Sequence, residues 1–269
     1  MQTPRLTRTA VAGAVLALLA ACGGGADDTA ASGTPSAAGV SYVNKGQLTT
    51  CTHLPYPPFQ FEKDGKVTGF DVELMDMVAK ELGVQQEIVD TPFETIKTGA
   101  DLNAGKCDVA AAGMTITEER KQNLDFSVPY FDATQALMAK KGSGITSLDT
   151  GKGKVGSQSA TTGEDYVKAK GVDPVSFETS DAELNGLKSG QIDVLVQDLP
   201  VVSEWLKDPA NSDYEVVANL DTGEQYGFAV KKGGNPELLK KIDDVITKAQ
   251  GDGSYDALYT KWIGLKPGA

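Results

Sequence analysis

The chain has 269 residues, enough for one large or two modest domains, and 40% of them are apolar, so a packed core is available. Its formal net charge is −12, which excludes a polyanion-binding role, because an acidic surface is a poor partner for nucleic acid or anionic lipid. The same charge keeps an exported protein soluble without any further purpose.

The N-terminus reads as a processing signal. Arg5 and Arg8 precede an apolar run over 10–21, shorter than the roughly 20 residues a membrane-spanning helix needs, so residues 1–21 are expected to be a signal peptide. Leu19-Ala20-Ala21-Cys22 resembles the bacterial lipobox, which implies cleavage before Cys22 and lipidation of its thiol. The protein would then sit on the outer face of the cell membrane, held by that lipid alone. Residues 22–40 are built from Ala, Gly, Ser, Thr, Pro and Asp and are expected to form a flexible tether.

A strand is predicted over 48–52. Gly69-Phe70-Asp71 opens a helix with Val72, Met75, Val78, Ala79 and Leu82 on one face and Gly83 at its end. A strand over 86–89, a helical stretch after Pro92 and a strand over 107–114 follow; the small apolar residues of the last suit a strand buried on both faces. This alternation implies a mostly parallel sheet. The pattern then recurs: a strand over 154–156, a helix over 163–170 stopped by Gly171, a capping box at Ser180-Asp181-Ala182-Glu183 and a buried strand over 192–196. The segments 102–109 and 187–194 share L-x-x-G-x-x-D-V, which suggests two related lobes. A strand over 226–230 leads to a helix capped by Asn235-Pro236-Glu237. Leu239, Ile242, Val245, Ile246 and Ala249 form its inner face, and a last helix covers 255–262.

Export permits a disulfide between Cys51 and Cys107. Strand register weighs against it, since the two residues fall several places apart along neighbouring parallel strands, and the sequence leaves the pairing open. His53 is the single histidine and has no ligand-spaced partner, so neither a metal nor a cofactor is expected.

The chain resembles the extracellular solute-binding proteins, family 3, of polar-amino-acid ABC importers. The resemblance rests on Pro57-Pro58-Phe59 with Gly69-Phe70-Asp71-Val72, on Gly113-Met114-Thr115-Ile116-Thr117-Glu118-Glu119-Arg120, and on Leu124-Asp125-Phe126-Ser127-Val128-Pro129-Tyr130. Asp193-Val194 with Gln197-Asp198 and the ending Lys261-Trp262-Ile263-Gly264 extend it over about 46–262. It implies an α/β fold of the two-lobe, type II periplasmic-binding-protein kind: lobe 1 from 41–131 plus 227–269, lobe 2 from 132–226, and hinges near 130–134 and 224–227. It also implies a monomer that closes on a free amino acid and docks on a membrane permease.

An amino acid brings a carboxylate and an ammonium, and burying either unpaired is costly. Arg120 is expected to clamp the carboxylate through two parallel hydrogen bonds, unless Glu118 or Glu119 merely pairs with it on a solvated face. Thr117 caps the turn that carries it. Asp198, at the end of a buried strand, is expected to take the ammonium, with the Gly113 carbonyl and the Thr115 hydroxyl beside it. Thr161 and Thr162 precede a helix whose N-terminal N–H groups suit the same carboxylate, although a plain cap would explain a threonine there. Tyr56 and Phe93 are candidate apolar walls or ordinary core. Gln158 and Gln197 offer amides to the ligand side chain.

His53 stands where relatives that bind cationic amino acids carry an Asp. Lysine, arginine and ornithine are therefore disfavoured, glutamine fits best, and glutamate fits if His53 is protonated. No catalytic constellation is evident, so no enzyme is expected. A dehydratase-like enzyme on the same fold and a ligand-presenting sensor remain the alternatives.

Overall fold

The computed structural model describes residues 39–148 and 153–264; the signal segment, Cys22 and the tether up to residue 38 lie outside the described residues. In chain order the elements are β1 (Gln47–Thr52), β2 (Phe61–Lys63), β3 (Lys66–Thr68), α1 (Phe70–Glu81), β4 (Gln85–Asp90), α2 (Phe93–Lys97), α3 (Ala100–Asn103) and β5 (Val109–Ala110). A short 3-10 turn (Arg120–Gln122), β6 (Leu124–Phe126) and β7 (Phe131–Lys140) follow. Then come β8 (Val155–Gln158), α4 (Thr162–Ala169), β9 (Val175–Phe177), α5 (Ser180–Ser189), β10 (Val194–Asp198) and α6 (Leu199–Trp205). The chain closes with β11 (Tyr214–Tyr226), β12 (Ala229–Lys231), α7 (Pro236–Asp252) and α8 (Ser254–Trp262).

Two five-stranded sheets result, ordered β4-β1-β5-β12-β6 and β11-β7-β10-β8-β9, and each forms the floor of one lobe. In the first, β1 runs parallel to β4 and β5; in the second, β8 runs parallel to β10 and β9. The expected parallel pairing thus holds in the βαβ part of each lobe. The remaining strands run antiparallel: β12 beside β5 and β6, and β7 beside β10 and β11. Among the described residues both lobes belong to one compact unit.

Local chemistry explains the entry to α1. Gly69 has φ +132, and a Cβ there would lie 2.2 Å from the Phe59 carbonyl oxygen, so only glycine lets the helix start so close to the 56–60 turn. The helix buries Phe70, Val72, Leu74, Met75, Val78 and Ala79, a wider face than the sequence predicts, because it packs on β4 and also on α7 and α8. Phe59, Phe70, Tyr130, Phe131, Tyr226 and Phe228 are buried and share edge-on and stacked contacts where β7 and β11 leave the first sheet. That aromatic cluster anchors the crossing strands, whose ends pair as Tyr226↔Phe131 and Glu224↔Ala133.

Five details differ from the sequence reading. Of 107–114 only Val109–Ala110 is strand; Ala111 N still reaches Cys51 O at 3.0 Å, and Gly113 at φ +55 then turns the chain into the cleft. The N-cap of α5 is Thr179, whose hydroxyl accepts Ala182 N, while Ser180 Oγ donates to Pro55 O in the other lobe at 3.0 Å. Leu238 is the fully buried leucine of α7, and Leu239 packs against the same core only partly buried. Val40, assigned to the tether, is buried, so the folded chain begins before residue 41.

The fifth concerns the cysteines, which are bridged. Their strands are parallel, with Cys51 opposite Ala110, so in strict register Cys107 would lie out of reach. Cys107, however, precedes β5 and follows the turn at Gly105, where the chain is not extended; it doubles back to bring the two Cα atoms to 5.6 Å.

Replacing both Cys51 and Cys107 by alanine should lower the unfolding free energy by about 2–4 kcal/mol, because a cross-link spanning 56 residues restricts the unfolded chain. Urea unfolding measures this; an unchanged midpoint would show that the bridge adds no stability.

Candidate functional site

Loops at the carboxyl ends of the parallel strands meet between the lobes and line one cleft with His53, Tyr56, Gln60, Phe93, Ala112, Gly113, Thr115, Arg120, Gln158, Thr161, Thr162 and Asp198. This is where ligands bind in open α/β sheets. Of the residues singled out from sequence, all but Gln197 line it. Gln197 stands just behind, accepting Tyr56 OH at 2.8 Å through Oε1.

Arg120 sits on the single 3-10 turn that follows Thr117, not on a longer helix; Thr117 Oγ1 accepts its N–H at 3.1 Å, as a cap does. Its side chain is buried, with Nη1 donating to Thr115 O at 2.8 Å and Nη2 to Ala160 O at 3.3 Å. The guanidinium lies 5.4 Å from the Phe93 ring centroid, a cation–π arrangement. Glu118 pairs with Lys121 instead, and among the described residues no carboxylate forms an ion pair with Arg120. Burial lowers the affinity of this guanidinium for its proton, while Asp165, Glu224, Asp198 and Glu119 raise it from a distance. An arginine stays charged regardless.

Facing it, Thr161 is the N-cap of α4, accepting Glu164 N at 3.2 Å. Thr162 is therefore the first helical residue, and its N–H is one of those that no turn of the helix can use. Thr162 Oγ1 donates to Glu224 Oε2 at 3.1 Å and lies 3.4 Å from Thr115 Oγ1, so the hydroxyls of both lobes meet here.

Asp198 ends β10. One carboxylate oxygen accepts both phenols, Tyr56 OH and Tyr226 OH, and the other accepts Gln135 Nε2. Burial raises its pKa to about 6, with the nearby Glu224 charge adding to the effect and the hydrogen bonds from Tyr226, Tyr56 and Gln135 opposing it. Both phenols are pushed well above their ordinary range, chiefly by burial, and so remain donors.

Besides Gln135 and Tyr226, which hold Asp198, three more participants were not found from sequence. Gln60 enters because the Pro57-Pro58 turn folds the chain back, with Tyr56 N donating to Gln60 O at 2.7 Å; its side-chain Oε1 is buried without a partner. Asp71, on the inner face of α1, accepts Gly113 N at 2.8 Å and Tyr130 OH at 2.7 Å, fixing the cleft loop to the root of β7. Burial raises its pKa to about 6. An aspartate amid the apolar face of α1 was the available signal. Glu224 gathers Thr162, Gln135 and, at 3.5 Å, Thr115.

His53 occupies the other end of the cleft. Nδ1 lies 3.0 Å from Thr91 O in its own lobe and Nε2 lies 3.2 Å from Glu178 O in the opposite lobe. Asp90 Oδ1 is 3.9 Å from Nδ1. Gln158 Nε2 approaches Glu178 O at 3.4 Å. Among the described residues no group of His, Cys, Asp and Glu is arranged to hold a metal, and no helix is long and apolar enough to cross a membrane.

A family profile, "Bacterial extracellular solute-binding proteins, family 3", matches residues 48–265. The chain is 34% identical over 259 residues to a probable histidine-binding protein of Neisseria gonorrhoeae, covering 93% of this chain and 92% of that protein. Two solved structures of an ancestral arginine-binding protein superpose with a TM-score of 0.76, covering 82% of this chain and 99% of their own. The form bound to arginine is 42% identical and the form bound to glutamine 43%. The chain belongs to the family 3 solute-binding proteins, which are exported, bind amino acids and work with ABC importers.

The Asp198 carboxyl holds its proton more tightly in the folded chain than in the unfolded one. Its contribution to stability is therefore full below about pH 4 and is lost as pH rises through about 6. Without added amino acid, Asp198→Asn should gain on the wild type by about 2–3 kcal/mol between about pH 4 and pH 7. Urea unfolding at the two pH values measures this; a constant difference would mean that Asp198 is not desolvated.

Proposed function

We propose that this protein captures a free α-amino acid with a polar, uncharged side chain, glutamine being the best match, and delivers it to the permease of an ABC importer. The observation that carries this reading is the pair of opposed charges in one cleft. Arg120 is a buried cation without an ion-pair partner among the described residues, and Asp198 is a buried carboxylate held only by neutral donors. A zwitterion neutralises both at once. Its carboxylate takes the free edge of the Arg120 guanidinium and the Thr162 N–H, and its ammonium takes Asp198, Thr115 Oγ1 and the Gly113 carbonyl. Tyr56 and Phe93 supply the aromatic walls.

The side-chain end supports a neutral ligand. Asp198 is the one carboxylate among the lining residues, and the ammonium uses it, so a lysine or ornithine side chain would bring an uncompensated charge. Both His53 ring nitrogens already face backbone carbonyls, so neither is free to donate to a glutamate side-chain carboxylate. Amide groups from Gln158, backed by Gln197, complement a carboxamide.

Closure follows from the lobe-to-lobe contacts. The lobes divide at 131–132 and 226–227, and the segments 130–134 and 224–227 act as hinges. Arg120 and Gly113 lie on one side and Thr162 and Asp198 on the other, so the ligand adds contacts only when the lobes meet. Lipidation at Cys22 tethers a monomer to the outer face of the cell membrane.

Arg120→Ala should abolish glutamine binding, a loss of at least about 100-fold, with little change in thermal midpoint, because the variant removes a buried charge instead of stranding one. Calorimetric titration of wild type and variant measures it. Unchanged affinity in the variant would refute the clamp, and a wild type that binds none of the polar neutral amino acids would refute the ligand class.

A further inference from the structure

Behind the side-chain end of the cleft lies a carboxyl group that the binding scheme above does not use. Glu183, on α5, is 0% exposed, although glutamate is almost never fully buried without a partner. Its Oε2 accepts a single hydrogen bond, from Gln197 Nε2 at 3.0 Å, and its Oε1 has none. Gln197 has no freedom to turn. Its Oε1 accepts Tyr56 OH and the Asp198 N–H, both at 2.8 Å, which forces Nε2 toward Glu183 and toward Gln158 Oε1 at 3.5 Å. Glu183 is thus separated from the cleft wall by one amide whose orientation is fixed.

The groups around Glu183 make its ionisation unfavourable. Helix α5 packs on β8, β9 and β10. The segments Val155–Gln158 and Val175–Phe177 carry no titratable side chain. From β10 comes Asp198, a like charge, and from the opposite lobe Tyr56, a neutral phenol. On α5 itself, Lys188 turns away to Asn211 Oδ1 at 3.0 Å, and Asp181 adds another acid. Among the described residues, His53 is the basic side chain at that end of the cleft. Burial accordingly pushes the Glu183 carboxyl well above the usual range, against the hydrogen bond from Gln197.

We propose that Glu183 sets the class of side chain the cleft accepts: as the neutral acid it leaves the site to an uncharged side chain, and once ionised it admits a cationic one such as arginine. Binding arginine to the acid form would expel the Glu183 carboxyl proton to solvent, leaving the carboxylate to balance the guanidinium through the Gln197 and Gln158 amides. Glutamine needs no such proton release. The inference rests on the amino-acid reading of the cleft but fails separately from it.

The test is the ratio of arginine to glutamine affinity, by calorimetry, at about pH 6 and about pH 8.5. Titration of Asp198 acts on the ammonium of both ligands and cancels in the ratio. In the wild type the ratio should rise by about ten-fold or more, since one unit of pH is worth up to a factor of ten for a single coupled proton. Glu183→Gln, an isostere of the neutral acid, should bind glutamine as the wild type does and hold a ratio that is flat with pH. A ratio already flat in the wild type would overturn the proposal. A slope that persists in Glu183→Gln would assign the effect to His53 and overturn it equally. A variant that loses glutamine would contradict the claim that Glu183 is uncharged in the glutamine complex. If the wild type bound neither ligand, the amino-acid reading itself would fall.

Discussion

A guanidinium removed from water, with no carboxylate among the described residues in ion-pair contact with it, is the constraint around which this cleft is organised. Effective penalties for a buried ion amount to several kcal/mol, a large part of the stability of a typical domain. The chain meets only part of that cost. Two backbone carbonyls, from Thr115 and Ala160, and the face of Phe93 hold Arg120 in place without cancelling its charge. Ala160 adopts φ +67 where its carbonyl reaches Nη2, a conformation rare outside glycine. Such partial compensation keeps the cation positioned and leaves its remaining donors for an external anion.

Asp198 is the counterpart across the cleft. It accepts hydrogen bonds from two phenols and an amide, all neutral, so its orientation is set while its charge is not cancelled. Two of these partners couple recognition to the position of the lobes. Tyr56 comes from the first lobe and Tyr226 from the end of a crossing strand, so the Asp198 carboxylate is where one lobe, the other lobe and the connection between them meet. Asp71 does the analogous work on the other side, tying the Gly113 loop to Tyr130 at the root of β7. If 130–134 and 224–227 are the hinges proposed above, cleft and hinge share residues, and a small ligand can bias the closure of the two lobes.

Much of this was legible in the sequence because its signals are local. Hydrophobic period, glycine stops and caps delimit β1, α1, α4 and α7 to within a few residues. The block from Gly113 to Arg120 places both of its chemically active ends in the cleft. What could not be read depends on contacts distant in sequence. The strand β11 was not read because the polar stretch 221–225 interrupts its more apolar start over 214–220; its full length exists because β7 pairs with it. Register alone kept Cys51 and Cys107 apart, whereas the turn before β5 brings them together. Gln60 and Glu224 join the site through a tight turn and a strand end respectively. Ser180 seemed sufficient as the cap of α5, yet Thr179 takes that role because the Ser180 hydroxyl is engaged by Pro55 of the other lobe.

In the proposed complex the α-carboxylate of the ligand is what answers Arg120. The most direct measurement is a calorimetric comparison of L-glutamine with its α-carboxamide, which keeps the ammonium and the side chain and removes only the carboxylate charge. If the ligand neutralises the buried guanidinium, the amide should bind at least about 100-fold more weakly, the scale expected when a buried ion is left without its partner. Equal affinity for the two compounds would mean that the charge of Arg120 is balanced elsewhere, and the cleft would need a different reading.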